Sequence, residues 1–169
     1  MKTTRYVAAA SVALAIGVGA YLSFDTDDVR QSAPSVAYTL LDGTPSSTDA
    51  LRGKVVLVNF WATSCTTCVH EMPQIVATHE RFKARGFETL AVAMSYDPPA
   101  AVVRFAESRK LPFGVVIDNT GAVARSFGDV RLTPTTMLIN KRGEIVKRYI
   151  GEPDFAALNR LVEALLAEV

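Results

Sequence analysis

An α/β sandwich with a mixed central sheet is the fold class that this sequence predicts, and three observations carry it. From Val36 onward, β-branched apolar runs alternate with amphipathic segments, as when strands cross over through helices. Lys54 to Trp61 is apolar almost throughout, the composition of a strand covered on both faces. Near the end, two strand candidates flank Lys141-Arg142-Gly143 and an amphipathic helix comes after them, which adds antiparallel pairing to a parallel middle. The chain has 169 residues, 49% of them hydrophobic, enough for one core and too few for two full domains.

In chain order, Val36 to Leu41 is a short strand, and Asp42-Gly43-Thr44-Pro45 is a turn that folds it back on the next segment, forming an N-terminal β extension. Thr48 to Gly53 reads as one capped helical turn leading into the strand at Lys54 to Trp61. Thr66 to Arg85 places Val69, Met72, Ile75, Val76, His79 and Phe82 at helical spacing, and Gly86 stands where a helix stops. Pro73 lies inside that helix and removes one backbone hydrogen bond, so a kink is expected there, at a cost of ~3 kcal/mol unless packing uses the bend. Phe87 to Met94 is a strand, Asp97-Pro98-Pro99 a turn, and Ala100 to Arg109 a helix. Phe113 to Ile117 is a strand and Ala122 to Phe127 a short helix. Thr135 to Asn140 and Glu144 to Ile150 form a hairpin, and Asp154 to Glu168 is the closing amphipathic helix.

Ahead of this domain, assigned to residues 36–169, Lys2 and Arg5 precede an uncharged run from Tyr6 to Leu22 that Asp25, Asp27 and Asp28 close. That run of about 17 residues is at the short end for a spanning helix and slightly long for a signal-peptide core. Residues 1–22 are therefore expected to be a hydrophobic leader helix, either a signal anchor or a cleaved signal peptide. Val18-Gly19-Ala20 could serve cleavage, whereas the basic flank favours a cytoplasm-in anchor. Both readings put the domain in an oxidising, extracytoplasmic space. Residues 23–35 are polar and acidic, the composition of a solvated linker. The formal net charge is +1 with scattered Lys and Arg, so neither a nucleic-acid stripe nor a polybasic membrane patch is indicated.

Both cysteines of the chain lie in Cys65-Thr66-Thr67-Cys68, directly after the apolar strand. With no third thiol, they bridge each other, bind a metal or exchange disulfides with a partner. The spacing points to exchange. A two-residue gap lets both sulfurs meet in one helical turn, and the strand feeding that turn places Cys65 at a helix N-terminus, where N–H groups and the helix dipole favour a thiolate.

Phe60-Trp61-Ala62-Thr63-Ser64-Cys65-Thr66-Thr67-Cys68, with Glu71-Met72-Pro73 soon after and, far downstream, Leu132-Thr133-Pro134-Thr135-Thr136, resembles the thioredoxin fold. More narrowly it resembles the membrane-anchored TlpA/ResA-like thiol–disulfide oxidoreductases, from about Val36 to the C-terminus. The resemblance implies a three-layer thioredoxin-like sandwich and a redox disulfide between Cys65 and Cys68. It makes Cys65 the exposed nucleophile that attacks a partner disulfide and Cys68 the buried thiol that resolves the mixed disulfide. Thr133-Pro134 resembles the loop whose cis-proline faces the cysteines and whose preceding backbone pairs with an incoming peptide. Trp61 is implied to lie beside the motif as an apolar platform for substrate; its alternative is simple core packing. Glu71, one turn beyond Cys68, is implied to exchange a proton with it, against the alternative of a solvated helix face. Asn59 stands where thioredoxins carry a buried acid, which leaves Glu71 as the nearest general acid/base candidate. Two departures stand out. Thr67 replaces the proline that reductants of the family commonly carry before the second cysteine, and Ser64 replaces the usual tryptophan before the first.

The direction of electron flow stays open at this level. Between a thioredoxin-like ~−270 mV and a strong oxidant at ~−120 mV lie about 7 kcal/mol for two electrons, so modest thiolate stabilisation could reverse it. The expected function is an extracytoplasmic oxidoreductase that reduces disulfides in cysteine-containing client proteins, for example in cytochrome c or copper-centre assembly. It would need no bound cofactor, would be held at the inner membrane through its N-terminal segment on the periplasmic side, and would be recharged by a membrane electron donor. A disulfide-introducing oxidase is one alternative. A Cu(I) carrier using Cys65, Cys68, His70, Met72 or His79 is another, although His79 stands about 16 Å along the helix from Cys68. No metal site is expected.

Overall fold

The computed structural model describes residues 31–168. The expected leader at 1–22 and most of the expected linker at 23–35 lie outside the described residues. Within the described part, the strands are β1 (Gln31–Ser32), β2 (Ala37–Thr39), β3 (Pro45–Ser47), β4 (Val55–Trp61), β5 (Phe87–Ala93), β6 (Gly114–Ile117), β7 (Thr135–Ile139) and β8 (Glu144–Ile150). The helices are α1 (Thr66–Phe82), α2 (Pro99–Arg109), α3 (Ala122–Ser126) and α4 (Phe155–Ala167), with short 3₁₀ turns at Thr48–Leu51 and Lys83–Arg85. The main sheet runs β1-β8-β7-β4-β5-β6, and β2 and β3 form a separate antiparallel hairpin. β4 pairs in parallel with β5, and β5 with β6, whereas β7 pairs antiparallel with both β4 and β8. This is a thioredoxin-like α/β fold with a mixed sheet.

Gln31 and Ser32 sit inside the stretch expected to be linker, yet they pair with Ile145 and Glu144 at the edge of β8. Their polarity conceals the strand. An edge strand keeps its side chains in solvent and is held by backbone bonds, which leave no apolar signature.

β4 is buried along its whole length because both faces are covered. Val55, Leu57 and Trp61 join a cluster with Ile75 and Phe82 of α1, Val102 of α2 and Leu158 and Val162 of α4. Val56, Val58 and Phe60 point the other way, towards Val123 and Phe127 around α3 and Tyr38 of the β extension. The two-residue period of a strand sorts them. Asn59 shares the parity of Leu57 and Trp61, so this polar side chain faces α1.

α1 continues through Pro73 as one uninterrupted helix from Thr66 to Phe82. Gly86 then adopts φ 90°, a left-handed conformation that glycine takes without a Cβ penalty, and it turns the chain into β5. Asp154 caps α4, its Oδ1 accepting from the N–H groups of Ala156 and Ala157.

Candidate active site

The site forms where β4 ends. Met94 N–H donates to Trp61 O at 3.0 Å, so the chains leaving β4 and β5 begin side by side. Ala62 to Ser64 make the turn, with Cys65 N–H donating back to Ala62 O at 3.2 Å. Cys65 is the N-cap of α1, and its Sγ accepts from Cys68 N–H at 3.2 Å. The first amides of a helix lack carbonyl partners, so a sulfur placed there meets donors and the positive end of the helix dipole.

Cys65 and Cys68 are joined in a disulfide, with Cα atoms 5.2 Å apart. Their surroundings differ: Cys65 is half-buried, whereas Cys68 is fully buried in the cluster with Trp61 and Met72. Solvent reaches the first sulfur and not the second.

One turn beyond Cys68, Glu71 is fully buried rather than solvated. Asn59 Nδ2 donates to Glu71 Oε1 at 2.9 Å and to Thr136 Oγ1 at 2.9 Å. Burial pushes the Glu71 carboxyl up to about 7; the Asn59 bond pulls the other way, and the charge of Glu152 adds to the rise. Glu71 Oε2 and Asn59 Oδ1 have no hydrogen-bond partner among the described residues. A carboxyl group balanced near neutrality can take or return a proton, which an ordinary surface glutamate at pH 7 does poorly.

The Thr133–Pro134 peptide is cis. Phe60 pairs with Thr135 across β4 and β7, so Trp61 and Pro134 come next in register and the proline loop lies at the cysteine end of the sheet. Pro134 is buried and Thr133 half-buried; Pro134 O accepts from Gly151 N–H at 2.8 Å. Thr133 Oγ1 lies 3.1 Å from Tyr96 Oη.

Trp61 departs from the expected platform. Its side chain is fully buried and packs on Phe105 with ring centroids 5.1 Å apart, so it backs the site from inside and offers no surface to a substrate. The histidines also separate from the cysteines. His70 is exposed and contacts Glu152 at 3.2 Å, and His79 is buried among Phe87 and Phe113 with Nδ1 3.2 Å from Thr89 Oγ1. No cluster of three or more His, Cys, Asp or Glu side chains suited to a metal ion occurs among the described residues.

Two residues of the site carry no signal in the sequence. Asp97, which reads there only as part of a turn, is 3% exposed and binds Thr63 with both carboxylate oxygens. Tyr96 beside it reaches Thr133. Nothing local announces either contact, because each spans 34 or more residues of chain.

Comparison with known proteins agrees with this geometry. The Redoxin family matches residues 28–164. The thiol-disulfide oxidoreductase ResA of Halalkalibacterium halodurans is 36% identical over 146 residues, covering 84% of this chain and 82% of that protein. ResA of Geobacillus kaustophilus is 35% identical over 155 residues, covering 89% and 88%. Among solved structures, a thiol:disulfide interchange protein of the thioredoxin family from Chlorobium tepidum superposes with a TM-score of 0.74 at 27% identity, over 82% of this chain and 97% of that one. A half-buried sulfur capping a helix over a fully buried partner is the arrangement that disulfide exchange requires, and with these relatives it establishes that the chain belongs to the Redoxin family, among its ResA-like thiol–disulfide oxidoreductases.

Proposed function

We propose that this oxidoreductase works outside the cytoplasm as a reductase of client-protein disulfides. The observation that carries the exchange chemistry is the unequal burial of the two sulfurs next to a carboxyl group pushed up to about 7, and the likeness to the ResA proteins supports the reducing direction. In the reduced enzyme the Cys65 thiolate attacks one sulfur of a client disulfide. A mixed disulfide forms and the first client thiolate leaves. Glu71 takes the proton of the Cys68 thiol, and the new thiolate attacks Cys65 Sγ, so that the second client thiolate departs and the Cys65–Cys68 disulfide closes. The client gains two electrons and the enzyme loses them. A membrane-bound dithiol donor would restore the reduced state; no other cofactor is needed.

Residues 1–22 would hold the domain at the outer face of the cytoplasmic membrane, either as an anchor or until cleavage. Among the described residues, no helix is long and apolar enough to cross a membrane. Thr133 and Pro134 would receive the client segment. Tyr96, Leu132 and Ile150, all exposed large hydrophobic residues, lie at this same end of the sheet: Tyr96 reaches Thr133, Leu132 precedes it, and Ile150 pairs with Thr135. A client whose cysteine is flanked by apolar residues suits that rim. Apocytochrome c or a copper-centre protein, whose thiols must stay reduced until they bind haem or metal, fits the description.

Equilibration of the domain with reduced and oxidised glutathione is the test. A potential well below that of the glutathione pool supports a reductase, and a value near ~−120 mV, as in strong oxidants, rejects it in favour of disulfide introduction. Tight Cu(I) binding that disappears on replacing either cysteine would favour metal transfer instead.

A further inference from the structure

The structure assigns Asp97 the role of a positioning residue for Cys65, a role that rests on the proposed exchange chemistry and extends it. Asp97 lies in the turn between β5 and α2, far along the chain from the nucleophile. Its Oδ2 accepts from Thr63 N–H and its Oδ1 from Thr63 Oγ1–H, both at 2.6 Å. Thr63 is the middle residue of the turn that carries the chain from β4 to Cys65. None of the described ion pairs involves Asp97, although the residue is buried. A buried acidic group without a cation is costly, and here its described side-chain partners all belong to Thr63.

The turn is tied at its start by Met94 N–H to Trp61 O and closed by Cys65 N–H to Ala62 O, and Asp97 grips Thr63 inside it. Without that grip, Thr63 and Ser64 can rotate. Cys65 would then move off the N-cap, where its Sγ meets Cys68 N–H, and the thiolate would lose donor and dipole together. Tyr96, the neighbouring residue, contacts the Thr133 hydroxyl, so one turn touches both loops of the site.

The test is the alkylation rate of Cys65 in the reduced Cys68→Ser protein at pH 6, divided by its rate at pH 9. At pH 9 an ordinary thiol is already largely thiolate, so the ratio cancels access and reports ionisation. A high ratio in the parent upholds the nucleophile reading; a ratio like that of a free thiol rejects that reading whatever Asp97 does. With Asp97→Ala the ratio is expected to fall at least about threefold, which for a thiol mostly ionised at pH 6 takes a rise of about one pH unit in its midpoint. Asp97→Asn loses the charge but can keep both contacts, its amide oxygen accepting from Thr63 N–H and its amide N–H donating to Thr63 Oγ1, and should stay near the parent. Thr63→Val removes one of the two bonds and should lower the ratio in the same direction, which decides the matter if Asp97→Ala fails to fold. An unchanged ratio in a folded Asp97→Ala protein overturns the assignment. So does a raised ratio, which would mean that Cys65 senses the charge of Asp97 and not its grip.

Discussion

Asn59 and Glu71 meet inside the core, Nδ2 to Oε1 at 2.9 Å, and the contact joins the central strand to the helix that bears both cysteines. Both side chains are fully buried, and only one of the two Glu71 oxygens is bonded among the described residues. The carboxyl therefore holds its proton far above the usual glutamate range.

This has a signed consequence for stability. The folded carboxyl titrates at about 7, against 4.5 ordinarily. Between those values the unfolded chain has released the proton and the folded one retains it, so stability falls as pH rises through this window and levels off above it. Glu71→Gln removes the contribution of this group to the slope. In denaturant unfolding of the oxidised protein, the variant should gain on the wild type by up to about 3 kcal/mol at pH 8 and by little at pH 4.5.

The same substitution should impair turnover. A glutamine side chain at this position cannot accept the Cys68 proton, so release of the mixed disulfide at neutral pH should slow at least about tenfold, while Cys65 alkylation changes far less. Stopped-flow kinetics with a peptide disulfide separates the two steps.

Asn59→Ala removes the bond that holds the Glu71 carboxyl down. The pH midpoint of mixed-disulfide resolution should move upward. Loss of a partner inside the core should also cost about 1–3 kcal/mol, measurable by urea unfolding.

Cys68→Ser should accumulate mixed disulfides with clients through Cys65, and Cys65→Ser should not, because Cys68 is fully buried. Non-reducing electrophoresis and then peptide mapping of the trapped species checks this. Trapping through Cys68 would reverse the proposed roles.

Leu132→Lys and Ile150→Lys place charge on the apolar rim without touching the sulfurs. Each should raise KM several-fold, about 1 kcal/mol, for a peptide disulfide with leucine beside its cysteine. A peptide flanked by serine should respond less.

Much of the architecture was legible along the chain because it depends on local periodicity. The helical spacing from Val69 to Phe82, the stop at Gly86, the unbroken apolar run of β4 and the hairpin at Lys141-Arg142-Gly143 each appear where their residue patterns indicated. Gln31–Ser32 did not, since an edge strand joined by backbone bonds needs no particular side chains. Trp61 was visible as a candidate, but its direction was not: strand parity and the packing of Phe105 turned it inward.

The chemistry divides along the same line. That Cys65 and Cys68 share one helical turn, with Glu71 one turn further on, is a matter of spacing, and a helix converts spacing into proximity by itself. Whether Glu71 is solvated or buried, and what grips the turn before Cys65, depended on partners brought in by sheet register: Thr136 meets Asn59 across 77 residues, and Asp97 meets Thr63 across 34. Proton affinity and loop position arise from desolvation and from such distant hydrogen bonds, and neither exists until the layers close around them.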